Sequence, residues 1–188
     1  MKIDDRYYLR RKTMFNTNEI ELAKAIYTLW KPRHVFDLGC GIGSHLYGFH
    51  ECGCKIMGCD YGWNIASNYM DDNVKKSTFM HDASKPLTIN EKFDLVTSIE
   101  VAEHISHDGS MQFCENMINL ANGRIFLTAA QPGQPGNGHI NCQKKQFWID
   151  CMAVYGAKFS DYETKLAYDS LIKIDKMGVC KNIMLFKV

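Results

Sequence analysis

Three side chains close together in the sequence have types that act as a group: Glu100, Glu103 and His104, in the run S-I-E-V-A-E-H-I. Were the chain helical there, positions i, i+3 and i+4 would share one face, and two carboxylates would converge with an imidazole. Such a grouping is costly unless something neutralises it. A divalent cation would do so, taking oxygen from the carboxylates and nitrogen from neutral imidazoles, with His139 of the later G-N-G-H-I-N segment as a fourth donor. Without a cation, His104 or His139 suits general base work, because an imidazole pKa of about 6.5 lies near working pH. A third reading assigns no chemistry: Glu100 lines a pocket, Glu103 faces solvent and His104 caps a helix.

A second constellation is Val35 to Gly43, V-F-D-L-G-C-G-I-G. Gly39, Gly41 and Gly43 let the backbone turn sharply off a strand and approach a ligand that side chains would block. A dinucleotide fingerprint needs glycine or alanine where Ser44 stands, so the pattern is G-x-G-x-G preceded by Asp37. Two further acids follow: Asp60 closes K-I-M-G-C-D, and Asp82 lies in H-D-A.

These groups need elements to position them. Asn18 and Glu21 form a capping-box pattern, after which Leu22, Ile26, Leu29 and Trp30 repeat at helical spacing until Pro32. Strands are predicted at His34–Leu38, up to Asp60, ending near His81, at Phe93–Ile99 and at Arg124–Ala129. Helices are predicted from the glycine loop to Gly53, around Trp63–Met70 and through Met111–Ala121. Beyond the Pro/Gly-rich loop Gln131–Gly138, a helix over Lys144–Tyr155 and strands over Ala157–Lys165 and Asn182–Val188 complete the pattern. Strands separated by single helices imply right-handed crossovers and a doubly wound α/β fold. Ligands in such sheets bind beyond the carboxyl ends of the strands, where both constellations fall.

The G-x-G-x-G loop with Asp37, followed in order by Asp60 and Asp82 at predicted strand ends, resembles motif I and the succeeding acids of the class I S-adenosylmethionine-dependent methyltransferases. The resemblance extends over nearly the whole chain. It implies a mostly parallel, seven-stranded, Rossmann-like sheet with a C-terminal antiparallel strand, in one domain over residues 1–188. It also implies S-adenosylmethionine as cofactor and S-adenosylhomocysteine as product. Asp37, Gly39, Cys40, Gly41 and Gly43 would meet the amino-acid end, and Asp60 with Tyr61 the ribose. Trp63, Asp82 and Ala83 would surround the adenine, with Ile99 at the end of the fourth strand. Trp63 reads equally well as a core aromatic. The E-x-x-E-H run with a later histidine is similar to the metal site of small-RNA 3′-terminal 2′-O-methyltransferases and to the site of ubiquinone-pathway O-methyltransferases. That likeness implies Glu100, Glu103, His104 and His139 as ligands or catalytic groups. Residues 1–17, with Tyr7, Tyr8, Arg10 and Arg11, resemble the N-terminal lids of this family, although a solvated charge run fits as well.

In such a family the sulfonium methyl is already activated, so the protein aligns the attack and removes a proton from the acceptor. A hydroxyl is hard to ionise, and a cation or a histidine base answers that need, so the expectation is O-methylation of a small molecule or glycan. The 188 residues carry 22 basic and 21 acidic side chains, a net charge of +1. That balance weighs against the rival RNA 2′-O-methyltransferase reading, because backbone binding rests on a basic excess. A cofactor-binding protein without catalysis is the remaining rival. Gln131 and Asn141 are expected to contact the acceptor, and Phe147 and Trp148 either pack against it or belong to the core. Cys52, Cys54 and Cys59 lack the paired C-x-x-C spacing of structural zinc and read as buried thiols. The start has no signal-peptide core and no run reaches the ~18 apolar residues of a membrane span. A cytoplasmic monomer or homodimer without membrane contact is expected.

Overall fold

The structure is a computed structural model that describes residues 4–14 and 16–188; residues 1–3 and 15 of the expected lid segment lie outside the described residues. Two helices, α1 (Asp5–Met14) and α2 (Asn16–Trp30), precede β1 (His34–Leu38). There follow α3 (Ser44–Glu51), β2 (Lys55–Asp60), α4 (Trp63–Ala66), α5 (Asp72–Lys76), β3 (Thr78–Met80) and β4 (Phe93–Ile99). The second half comprises α6 (Ser110–Leu120), β5 (Ala121–Thr128), α7 (Lys145–Val154), β6 (Lys158–Phe159), α8 (Asp161–Leu171) and β7 (Met184–Lys187). The strands form one seven-stranded sheet in the order β3-β2-β1-β4-β5-β7-β6. Pairing is parallel from β3 through β5, and β7 lies antiparallel to both β5 and β6. This is the mostly parallel sheet with a C-terminal antiparallel strand that the sequence implied.

Helices cover both faces of the sheet, so Val35, Phe36, Asp37 and Leu38 of β1 are all buried. Phe36, Phe113, Met117, Trp148 and Phe186 share the core on one side of the sheet. Leu22, Ile26, Leu46, Phe49 and Leu185 share the core on the other. The chain moves outward from β1 through β2 to β3 and then returns to β4, so β1 is flanked by β2 and β4. A crevice opens at the carboxyl ends of those central strands, as this topology requires.

Four local expectations are corrected. Helix α2 starts at Asn16, and Asn18 is not its cap: the buried amide donates to the Ile174 carbonyl at 2.6 Å and accepts from the Lys176 N–H at 3.0 Å. The strand expected over Ala157–Lys165 is only two residues long. Ser160 then caps α8 by accepting from the Glu163 N–H at 3.3 Å, so S-D-Y-E acts as a helix start. Helix α3 ends at Glu51, where Gly53 at φ 85° turns the chain toward β2. Lastly, Glu100 to His104 is not helical: Glu100 leaves β4 at φ 55°, and a 3-10 turn spans Ala102–His104.

The contact of α2 with α3 is close enough to test. A Cβ added to Gly48 would lie 2.7 Å from the Ala23 Cβ and 2.7 Å from the Ile20 carbonyl oxygen. Gly48→Ala gains about 1 kcal/mol of helix propensity but forces an overpacking cost of about 1–3 kcal/mol against backbone. The expected outcome is a lower thermal unfolding midpoint; an unchanged or raised midpoint would contradict this packing.

Candidate functional site

A cleft of about 470 Å³ lies at the carboxyl ends of β1, β2 and β4. The glycine loop forms its floor through backbone geometry. Gly39 and Cys40 both donate N–H to the Cys59 carbonyl, at 2.8 and 2.9 Å, which bends the loop over β2. Gly39 has φ 89°, and a Cβ there would lie 2.5 Å from the Val101 methyl Cγ2. Gly41, at φ 54°, faces open space, so its backbone is exposed to whatever occupies the cleft. Gly43, at φ 75°, is wedged against Val74, where a Cβ would overlap a methyl group, and it faces away from the cleft.

Four carboxylates are organised around this floor. Asp60 accepts from the Gly41 N–H at 2.9 Å, the Gly62 N–H at 2.7 Å and the Tyr8 hydroxyl at 3.1 Å. Asp82 accepts from the Ser84 N–H at 2.9 Å and the Ser84 hydroxyl at 2.7 Å. Burial alone would raise the Asp82 pKa, but the Ser84 bonds outweigh it and hold the group below the usual carboxylate range. Asp37 is only 2% exposed; burial pushes its pKa up to about 7, against the 2.8 Å hydrogen bond that Thr97 donates. Glu19, on α2, is 2% exposed and is paired with Arg11 of α1.

Of the other expected cofactor residues, Cys40, Tyr61, Ala83 and Ile99 line the cleft. Cys40 is buried and its thiol pKa lies well above the ordinary value, so it is a poor nucleophile. Trp63 is not part of the cleft lining; its indole N–H donates to the Thr78 hydroxyl at 3.0 Å.

The acid and histidine cluster borders the same cleft. Glu100 and His104 line the cleft, while Glu103 and His139 stand behind them. Glu103 has no solvent exposure, contrary to the reading that places it in water, and neither carboxylate oxygen has a hydrogen-bond partner. Burial, followed by the neighbouring Glu100, raises its pKa to about 8. The His104 Nδ1 lies 2.9 Å from the Gly138 carbonyl, which requires the proton on Nδ1 and leaves Nε2 as a lone pair. Burial lowers the His104 pKa, so the neutral ring is favoured. The His139 Nδ1 lies 3.3 Å from the Gln134 carbonyl, and its Nε2 is 3.7 Å from Glu103 Oε1. Among the described residues, ligand atoms of Glu103, His104 and His139 fall within 4.8 Å of one another. Glu100 stands outside that triangle; its side chain accepts from Asn182 at 3.1 Å, and its backbone N–H donates to Thr128 Oγ1 at 2.9 Å.

The chemistry of this donor set is specific. The His104 ring spends its Nδ1–H on a carbonyl, and the His139 Nε2 approaches a carboxyl group whose own oxygens lack partners. A proton held on Glu103 or a cation among the three groups would satisfy it. Beside it, Asn141 is buried, with its amide on Ser110 at 3.0 Å, and Trp148 is fully buried core, so neither touches an acceptor directly. Phe147 is half-buried, with its ring centroid 5.3 Å from that of His107. Three residues of this region escape sequence reasoning: Glu19, Asn182 and His45, whose Nε2 is buried without a partner. No motif spacing marks them: Glu19 and His45 enter the cleft from α2 and α3, and Asn182 stands outside its lining and acts through Glu100. The thiols Cys52, Cys54 and Cys59 are free, and Cys54 donates to the Pro32 carbonyl at 3.1 Å. No helix among the described residues is long and apolar enough to cross a membrane.

Comparison with known proteins bears on this arrangement. A family model described as a methyltransferase domain matches residues 35–122, just under half of the chain. No curated protein matches it in sequence. Among solved structures, a TehB-like S-adenosylmethionine-dependent methyltransferase from Corynebacterium glutamicum superposes with a TM-score of 0.70 at 17% identity, covering 97% of this chain and 96% of that one. An amino pentose methyltransferase from Micromonospora echinaspora, solved with S-adenosylmethionine bound, gives 0.71 at 10% identity, covering 100% and 98%. A sugar N-methyltransferase from Streptoalloteichus gives 0.70 at 12% identity, covering 99% and 92%.

The buried Asp37 makes a stability prediction. Its folded-state pKa of about 7 exceeds the ordinary 3.8, so between those values the folded chain holds a proton that the unfolded chain has lost. Stability from this group is therefore greatest at low pH and falls as pH rises, by at most about 1.4 kcal/mol per unit. Asp37→Asn removes the titration and preserves an acceptor for Thr97. Urea unfolding at pH 4.5 and 7.5 is expected to show a flatter pH dependence for the variant; identical slopes would contradict the assignment.

Proposed function

Because the chain carries a methyltransferase domain within the class I S-adenosylmethionine-dependent methyltransferase fold, we propose that it moves a methyl group to an acceptor oxygen, on a small-molecule or glycan hydroxyl. The observation that supports this reading best is the placement of His104: an imidazole whose Nδ1–H is spent on the Gly138 carbonyl, on the wall of the cleft that the glycine loop and Asp60 also line. The fit to the cofactor rests on the open Gly41 backbone and on Asp60, whose two carboxylate oxygens suit vicinal ribose hydroxyls. Asp82 and Ala83, which line the same cleft, would read the adenine edge. Bound S-adenosylmethionine supplies a methyl group activated by positive sulfur. The chain supplies orientation, exclusion of water and a route for the acceptor proton.

His104 is the residue to receive that proton, since the Gly138 carbonyl fixes its tautomer and burial keeps it neutral. Glu103 and His139 also fit a divalent cation together with His104, because the orphaned carboxyl and two imidazoles have the donor types such an ion takes. A cation there would supply positive charge that lowers the pKa of the acceptor hydroxyl. Glu100, turned toward Asn182, then acts beside the cluster and not within it.

The charge inventory favours a small acceptor over RNA. Five carboxylates line the cleft (Glu19, Asp37, Asp60, Asp82 and Glu100), and the sole Lys or Arg among the lining residues is Arg11, paired with Glu19. An acidic cleft suits a cationic cofactor and repels a phosphate backbone. Two of the structural relatives act on sugars, which agrees with a small polar acceptor.

The direct test is transfer of a radiolabelled methyl from S-adenosylmethionine to a panel of phenols, glycans and RNA fragments. The expected product is an oxygen-linked methyl on a small acceptor; an amine or thiol product would overturn O-methylation. His104→Ala is expected to lower kcat by about 10²–10⁴-fold, the range of general acid–base catalysis. Chelation followed by add-back of a divalent ion separates the two versions of the cluster: activity indifferent to both treatments removes the cation.

A further inference from the structure

The N-terminal helix α1 puts its tyrosines into the cleft in a way that the proposed chemistry leaves unexplained. Tyr8 is 1% exposed and is the buried residue of α1. Its hydroxyl donates to Asp60 Oδ1 at 3.1 Å, the oxygen that also accepts from Gly62. Asp60 Oδ2 accepts from Gly41. A carboxylate offers about four acceptor positions. Three are taken, so two vicinal hydroxyls cannot both be accepted while Tyr8 holds its place. Of the three donors, Gly41 and Gly62 are backbone groups of the glycine loop and the β2 turn, whose removal would dismantle the floor. Tyr8 alone sits on an element able to leave.

Helix α1 is suited to leaving. It is ten residues long, a length that is marginal for an isolated helix in water. Tyr8, packed on Ile42 and Ala66, is its one buried side chain among the described residues, and the helix is also tied by the Arg11–Glu19 pair and by the Tyr69 hydroxyl on Asp5. Elements held by so few buried contacts open at low free energy. The adjoining Tyr7 also lines the cleft.

We infer that α1 is a built-in competitor for the cofactor site: the Tyr8 hydroxyl occupies the Asp60 position that a ribose hydroxyl takes, and ligand entry releases α1 from the cleft. This inference rests on the cofactor reading above.

The test is calorimetry with S-adenosylhomocysteine on the unmodified chain, Tyr8→Phe and Asp60→Ala, together with hydrogen exchange over residues 5–14. Tyr8→Phe keeps the ring and removes the competing hydroxyl, so it is expected to bind about 3- to 10-fold more tightly, the scale of one net hydrogen bond. In the unmodified chain, exchange across α1 is expected to speed up when S-adenosylhomocysteine is added. That second measurement needs no substitution and stands even if the variant folds poorly. Equal or weaker binding by a folded Tyr8→Phe, or slower exchange of α1 with ligand, overturns the competitor role. Absence of binding by the unmodified chain, or binding that Asp60→Ala leaves intact, defeats the cofactor reading instead and takes this inference with it.

Discussion

The carboxylate of Asp60 accepts hydrogen bonds from three separate pieces of chain: the glycine loop, the turn after β2 and helix α1. A carboxylate at the end of a buried parallel strand loses much of its hydration and must be met by donors. Here the donors are backbone N–H groups that only a tightly turned loop can aim. The positive φ of Gly39 and Gly41 allows that turn, and the Gly39 and Cys40 bonds to Cys59 hold it in place. The glycine pattern and the acid at the end of β2 are therefore one requirement expressed twice. Neither would build the cleft alone.

A second constraint acts at the other end. Glu100 adopts φ 55°, a region that costs a residue with a side chain about 1 kcal/mol or more. Thr128 and Asn182 hold it there through the backbone and the carboxylate. The turn redirects the chain so that Ala102–His104 forms a 3-10 turn that tucks Glu103 beneath the cleft wall and leaves His104 facing it. A regular helix would have set Glu100, Glu103 and His104 on a single face. The strained turn instead divides them by depth: Glu100 meets Asn182 beside the cleft, and Glu103 is buried with neither oxygen partnered.

What was legible in the sequence follows from locality. Glycines in a fixed pattern after a strand, and acids at strand ends, are consequences of backbone geometry within a few residues; the parallel sheet and the cleft position were read from those. The Ser160 cap was hidden by the short β6 segment before it, which gives the region the look of a longer strand. Contacts from distant elements left no such mark. Asn18 looked like a cap until Ile174 and Lys176, over 150 residues away, were seen to use its amide. Asn182 and the Gly138 carbonyl are likewise ordinary residues whose roles arise only when loops after β5 and before β7 close over β4. The histidine tautomer, on which the proposed base depends, is fixed by that carbonyl and has no counterpart in residue type or spacing.

The acidity of the cleft carries the argument one step past binding. Two unit charges 6 Å apart interact by about 3 kcal/mol at an effective dielectric constant near 20. Under the proposed function, the carboxylates along the cleft face a positive sulfur before transfer and a neutral one afterwards. Their attraction therefore weakens with the chemistry itself, which favours exchange of spent cofactor for fresh. The raised pKa of Asp37 tempers this, since that group is partly neutral near pH 7. Asp60, held by backbone donors on both oxygens, is built to accept hydroxyl hydrogens. Recognition of the nucleoside is then separated from recognition of charge: the first rests on Asp60 and Asp82 and is the same before and after transfer. The second rests on the acidic surroundings and changes by one unit of charge when the methyl leaves.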